Sequence, residues 1–184
     1  MVRAKVPSVT EILKPYQDFS RVNPSDLELA ADRGSIIHTA LACRAAGLWY
    51  AVKDIPKEYM GYFRSGCRWL DRYVKDVKLV EIPLVHKEMK FRGTPDLICI
   101  LKGDEAQGIW DYKTGALAQR TWEVQVGGYV GLCMTNAIPV GRAGFIQLRR
   151  DGKIPKVTDL TSRMYYLWTV FHAFLRVHQF LNEG

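Results

Sequence analysis

Four cysteines occur in 184 residues, and no two are close enough to form a C-x-x-C pair. Cys43, Cys67, Cys99 and Cys133 lack zinc-ribbon or iron–sulfur spacing and read as free thiols that act as small hydrophobes. Such usage suits a reducing compartment. No stretch approaches the ~18 apolar residues that span a bilayer. The amino terminus lacks the apolar core of a signal peptide. The expected location is therefore cytoplasmic (the host cytoplasm, were the protein viral), with no membrane partner. There is no G-x-x-x-x-G-K-[S/T] run, so a nucleotide-driven motor is excluded. Repeats, low-complexity tracts and domain linkers are missing as well, and the length suits a single domain over 1–184.

What is present is ordinary for a soluble globular protein: 48% hydrophobic and 24% charged residues. Lys and Arg number 26 against 19 Asp and Glu, a net charge of +7. That excess fits a polyanionic partner, because cations that neutralise phosphates release counterions. A merely basic soluble protein would carry the same balance.

The patterning divides the chain into three sections. In 1–76, Ser8 and Glu11 form a capping box for a short helix that stops near Pro15. Ser25 or Asp26 can cap a longer helix reaching Gly47, and Pro56 opens a third over 57–75. In 77–158 the period changes. Strands are expected over 77–85, 94–101 and 108–112, a helix over 117–135, a strand over 140–149 and a short strand over 153–157. In 159–184 an aromatic-rich helix over 161–181 closes the chain and is expected to cover the sheet. The expected fold class is α/β, a mixed central sheet flanked by helices behind a helical amino-terminal section.

Polar residues interrupt this apolar framework at its centre. Asp96 leads into Leu97-Ile98-Cys99-Ile100-Leu101, while Asp111 and Lys113 end the run that begins at Ile109-Trp110. Two carboxylates and an ammonium on neighbouring strands are costly to bury without partners. A divalent cation and a phosphodiester would supply them. Asp96 and Asp111 could share one cation, with the Tyr112 main-chain carbonyl as a further oxygen donor. Strand alternation puts Asp111 and Lys113 on one face, where Lys113 could orient or deprotonate the attacking water and neutralise phosphate charge. On the next helix Trp122, Gln125 and Tyr129 share a face, so an amide and a phenol could meet the scissile strand by hydrogen bond and by stacking. His38 lies four residues after Gly34, a helical glycine that costs ~1 kcal/mol against alanine and hints at a close approach. Glu81, on the strand before Asp96, is a possible further acid.

Taken together, Gly34 to His38, Gly93 to Asp96, Asp111-Tyr112-Lys113 and Gln125 to Tyr129 resemble the PD-(D/E)XK nuclease superfamily, in particular its RecB-like exonuclease branch. They follow the order of that branch's G-x-x-x-H, G-x-x-D, (D/E)-x-K and Q-x-x-x-Y motifs. The amino-terminal PSVTEIL is similar to the start of compact phage-type and organellar members, so the likeness runs from about Pro7 to Arg149. The resemblance implies a restriction-endonuclease-like core and a DNA exonuclease dependent on Mg2+ or Mn2+, serving recombination, repair or replication. It implies Asp96, Asp111 and His38 as metal ligands, with Glu81 at a less regular acidic position, and Lys113 as the catalytic lysine. Gln125 and Tyr129 match the substrate-contacting pair, and Arg120, Thr114, Ser8 and Thr10 are candidate substrate contacts in the flanking segments. The cysteine cluster of the iron–sulfur members is missing, so no such cluster is expected. With no motor of its own, the chain would rely on a recombination or helicase partner for unwinding. Lys87, Lys90, Arg92, Arg142, Arg149, Arg150 and Lys153 could track a DNA backbone. The rival readings are a structure-selective endonuclease on the same site and a non-catalytic DNA-binding module.

Overall fold

The computed structural model describes residues 6–17, 23–116 and 118–182. The Ser8 capping box forms as expected: Ser8 Oγ accepts from the Glu11 N–H at 3.1 Å, and the Ser8 N–H donates to Glu11 Oε2 at 2.7 Å. It starts helix α1, Val9–Leu13, which a 3-10 turn through Pro15 terminates. Helix α2 spans Pro24–Ala45 and is capped by Asn23, ahead of the expected Ser25 or Asp26. Pro24 occupies the first helical position, where no N–H is required, and Asn23 Oδ1 takes the Ser25 N–H at 3.1 Å. Helix α3, Met60–Tyr73, begins later than the sequence predicted because Pro56 to Tyr59 close a turn instead.

Strand β1 is Val74–Val80, and here the expected continuous strand over 77–85 breaks. Glu81 takes a left-handed backbone, φ 47°, and Pro83 supplies no N–H for a ladder. The chain then leaves the sheet and makes a separate hairpin from β2, Leu84–His86, and β3, Phe91–Gly93. It returns in β4, Leu97–Leu101, and β5, Gln107–Lys113. Helix α4, Arg120–Thr135, carries the chain across to β6, Arg142–Gln147, and β7 is Lys156–Asp159. The expected start of α4 at Leu117 lies outside the described residues. The main sheet has the order β1-β4-β5-β6-β7, with β5 and β6 parallel and the other pairs antiparallel. The fold is thus α/β with a mixed five-stranded sheet flanked by helices. The parallel pair follows from the helical crossover, since only a long connection can return a strand in the same direction.

Each face of the sheet buries its own core. Leu97, Cys99, Trp110, Tyr112 and Ile146 meet Ile37 and Leu41 of α2 and Phe63, Trp69 and Leu70 of α3. Ile98, Ile109, Ala143 and Phe145 point the other way, into a core shared with α1, α4 and the β2–β3 hairpin. No helix among the described residues is long and apolar enough to cross a membrane.

Helix α5, Met164–Asn182, corrects one expectation. It packs on α4 rather than directly over the sheet, burying Leu167, Phe171 and Leu175 while Tyr165, Tyr166, Phe180 and Leu181 stay exposed. Gly127 and Gly131, one turn apart on α4, permit this crossing. A Cβ on Gly127 would lie 2.3 Å from the Leu167 carbonyl, and one on Gly131 2.3 Å from the Trp168 ring. The backbone at Leu167 cannot yield as a side-chain tip can. Gly127→Ala is therefore expected to cost on the order of 3 kcal/mol and to lower the melting temperature by roughly 6–12 °C, read by thermal circular dichroism.

Candidate metal centre

The antiparallel pair β4–β5 sets Leu97 opposite Trp110. Asp96 comes just before Leu97 and Asp111 just after Trp110, so both carboxylates emerge at the same end of the paired strands. Alternation along β5 sends Trp110 and Tyr112 toward α2 and α3, and Asp111 and Lys113 toward α4. Lys113 Nζ lies 2.5 Å from Asp111 Oδ2 and donates to Gln125 Oε1 at 2.7 Å. Gln125 in turn donates through Nε2 to the Tyr129 hydroxyl at 2.9 Å. Trp122 lies beneath the ammonium, 5.8 Å from ring centre to Nζ. Of the side chains that the helical period placed on one face of α4, Trp122 and Gln125 meet Lys113, and Tyr129 joins them through Gln125.

On the opposite side of Asp96, α2 delivers His38, whose Nδ1 is 3.1 Å from Asp96 Oδ1. The other Asp96 oxygen accepts the Tyr112 main-chain N–H at 2.6 Å. The left-handed turn at Glu81 brings a third donor. One ligand atom each from His38, Glu81 and Asp96 lies within 4.8 Å of the others. Glu81 thus sits off the strand, at a strained backbone position of the kind that cluster at functional sites. Pro83, two residues on, is the sequence feature that marks the break. Asp111 is engaged with Lys113 instead of joining this trio. Its buried Oδ2 faces the Lys113 ammonium.

The electrostatics show what the cluster lacks. Burial pushes the Glu81 carboxyl up to about 7, with Asp96 and Asp111 adding to the rise and His38 opposing it. Burial also raises Asp111, against the pull of Lys113. Burial alone would lower His38, but the adjoining Asp96 carboxylate outweighs it, with help from Asp111, and holds the imidazole up at about 9. All three groups bind protons more tightly in the folded chain than in the unfolded one. A raised acid costs stability as it ionises, here between 4.5 and about 7 for Glu81. The raised His38 contributes stability below 6.5 that is lost as pH passes about 9. Both signs agree: the metal-free protein should lose melting temperature steadily from about pH 5 to about pH 9. A cation that takes the place of those protons should flatten the decline, so the stabilisation by Mn2+ over chelator should grow with pH. Paired thermal melts across that range check it.

The donor set fits a hard divalent cation. Two carboxylates and an imidazole could hold a divalent cation. The cluster is surplus in acid, while the buried Asp111 beside it has the Lys113 ammonium as its partner.

The Tyr112 N–H donates to Asp96 Oδ2, and because a strand residue's N–H and C=O point to the same side, its carbonyl faces the site as well. Other expected site residues are placed differently. The Tyr129 ring is 5% exposed and packs where a Cβ on Gly93 would lie, 2.9 Å away, so it has no face for stacking on a base. What it gives the site is a hydroxyl that positions Gln125. Arg120 is exposed at the start of α4 and pairs with Glu123 at 3.1 Å. Ser8 is committed to its cap. Thr10 and the buried Thr114 line a groove beside Lys113. Among the basic residues proposed to track a backbone, Arg142 is locked between Asp104 and Asp159, and Arg149 pairs with Asp151 at 2.7 Å. The close approach inferred at Gly34 is not made by the described residues: apart from its own helix, a Cβ there would meet only Thr114 Oγ1, at 4.0 Å.

The chain matches no protein-family model and no curated protein at a significant level.

Proposed function

We propose that this chain is a divalent-cation-dependent deoxyribonuclease of the PD-(D/E)XK type, with a restriction-endonuclease-like core, acting as a DNA exonuclease. The observation that carries the reading is the juxtaposition of His38, Glu81 and Asp96, within 4.8 Å of one another, with the buried Asp111–Lys113–Gln125 chain. When bound, a Mg2+ or Mn2+ ion on these residues would neutralise phosphoryl charge and lower the pKa of a water. In the reaction, water attacks phosphorus in line and the opposite P–O bond breaks. The Lys113 ammonium has three N–H groups and two close partners among the described residues, Asp111 and Gln125. The third N–H can orient the water and neutralise charge on the phosphoryl oxygens. Gln125, fixed by Tyr129, holds the ammonium in register. A role in recombination, repair or replication, with a helicase or recombination partner, accords with a nuclease that has no motor.

The test is a set of 5′- and 3′-end-labelled linear duplexes and single strands, with a closed circle, in Mg2+, Mn2+ or chelator. Cation-dependent shortening from an end, with the circle spared, supports the exonuclease. Cutting of the circle selects the endonuclease reading, and binding without any cleavage selects the non-catalytic module.

A further inference from the structure

Helix α2 is bordered by two open grooves that meet at the centre. One, of about 680 Å3, runs along its amino-terminal half past Leu27 and Ala31 and takes in Lys113 and Gln125. The other, of about 490 Å3, runs along its carboxy-terminal half past Thr39, Ala42 and Cys43 and takes in Glu81. Gly34 and His38 are the two α2 residues that line both. One turn apart, they form the divide between the grooves, and the His38–Glu81–Asp96 cluster lies beside it.

Glycine at this divide is not required by the fold. Position 34 lies inside a continuous helix with ordinary helical backbone, where glycine is the poorer choice by about the difference between it and alanine. Apart from its own helix, no atom of the described residues comes nearer than 4.0 Å to where its Cβ would be. The contrast with Gly127 is direct, since there the backbone of α5 fills the space. A helical glycine that no described residue crowds, at the junction of two grooves beside the ligand cluster, leaves the space to a ligand.

We infer that Gly34 is the saddle over which one strand of the substrate crosses α2, continuing from the Lys113 groove into the Glu81 groove. The inference rests on the nuclease reading and adds the path to it. From Leu27 to Cys43 the trough runs about 24 Å at the helical rise, so the strand extends to both sides of the phosphate at the cluster. A methyl group at the saddle lifts the strand from the trough without disturbing the ligands.

The test is Gly34→Ala beside Gly34→Leu, with three measurements. In chelator, Gly34→Ala is expected to melt about 2–4 °C above the parent, the propensity gain for a chain of this size. The rise in melting temperature with Mn2+ is expected to match the parent. Binding of a fluorescein-labelled single-stranded DNA, read by anisotropy in Ca2+ to suppress cleavage, is expected to weaken tenfold or more with alanine and further with leucine. Parent-like DNA binding by both variants overturns the saddle, as does a fall in the melting temperature of Gly34→Ala, which would assign the glycine to the fold. A parent that binds no DNA overturns it too. Parent binding without cleavage, with Gly34→Ala still weakened, removes the nuclease reading and leaves the saddle standing.

Discussion

Lys113→Met is expected to lower Mg2+-dependent DNA cleavage at least ~10³-fold while leaving the fold in place. The methionine keeps an unbranched stem over Trp122 and removes the ammonium that Asp111 and Gln125 surround. Asp111 then keeps only His38 as a nearby counter-charge among the described residues, so burial raises its carboxyl further and favours the protonated form. The structural cost is limited for that reason. The chemical cost is not, because no other cation lies in that chain of contacts. Single-turnover cleavage of an end-labelled duplex measures the first effect, and thermal melting in chelator the second. A rate above a tenth of the parent's, with the variant folded, would take Lys113 out of the chemistry.

Glu81→Gln is expected to move stability and metal response in opposite directions. Without a cation the Glu81 carboxylate carries a burial and repulsion penalty above about pH 7, and the amide does not. Near pH 8 the variant should therefore melt a few degrees above the parent in chelator; Glu81 is partly solvated, which keeps the gain small. At a cation concentration of 100 Kd the parent gains about 2.7 kcal/mol, or roughly 5–11 °C, and the variant should lose most of that increment. Stability gained with function lost is the pattern of a site built for a ligand. A variant that melts lower in chelator and still responds fully to Mn2+ would place Glu81 among structural contacts instead.

Much of this was legible from residue order. Asp111 and Lys113 stand two apart on an apolar strand, and a period of two puts them on one face whatever the strand pairs with. Gln125 and Tyr129 stand four apart on a helix, which fixes them as neighbours in the same way. The Ser8–Glu11 capping box is local and formed as expected. Glu81 was harder to place. Val77 to Val85 reads as one strand, and only the left-handed turn at Glu81 ahead of Pro83 frees its carboxylate to reach His38 and Asp96. The Tyr129 ring misled for a different reason. Periodicity gives a residue's direction but not how deeply the facing layer covers it, and Gly93 lets that ring press into the core.

The sequence by itself determined the element types, the polar line through their centre and the pairs that local periodicity joins, because those depend on spacings of two to four residues. Tertiary structure decided everything that joins distant segments. It set Asp96 between His38, 58 residues earlier, and the Tyr112 N–H, 16 later. It grouped Glu81 rather than Asp111 with the ligand trio, and it laid α5 on α4 instead of the sheet. It also left Gly34 uncrowded among the described residues. Each of these depends on which surfaces meet when the two cores close, and no periodicity along the chain carries that information.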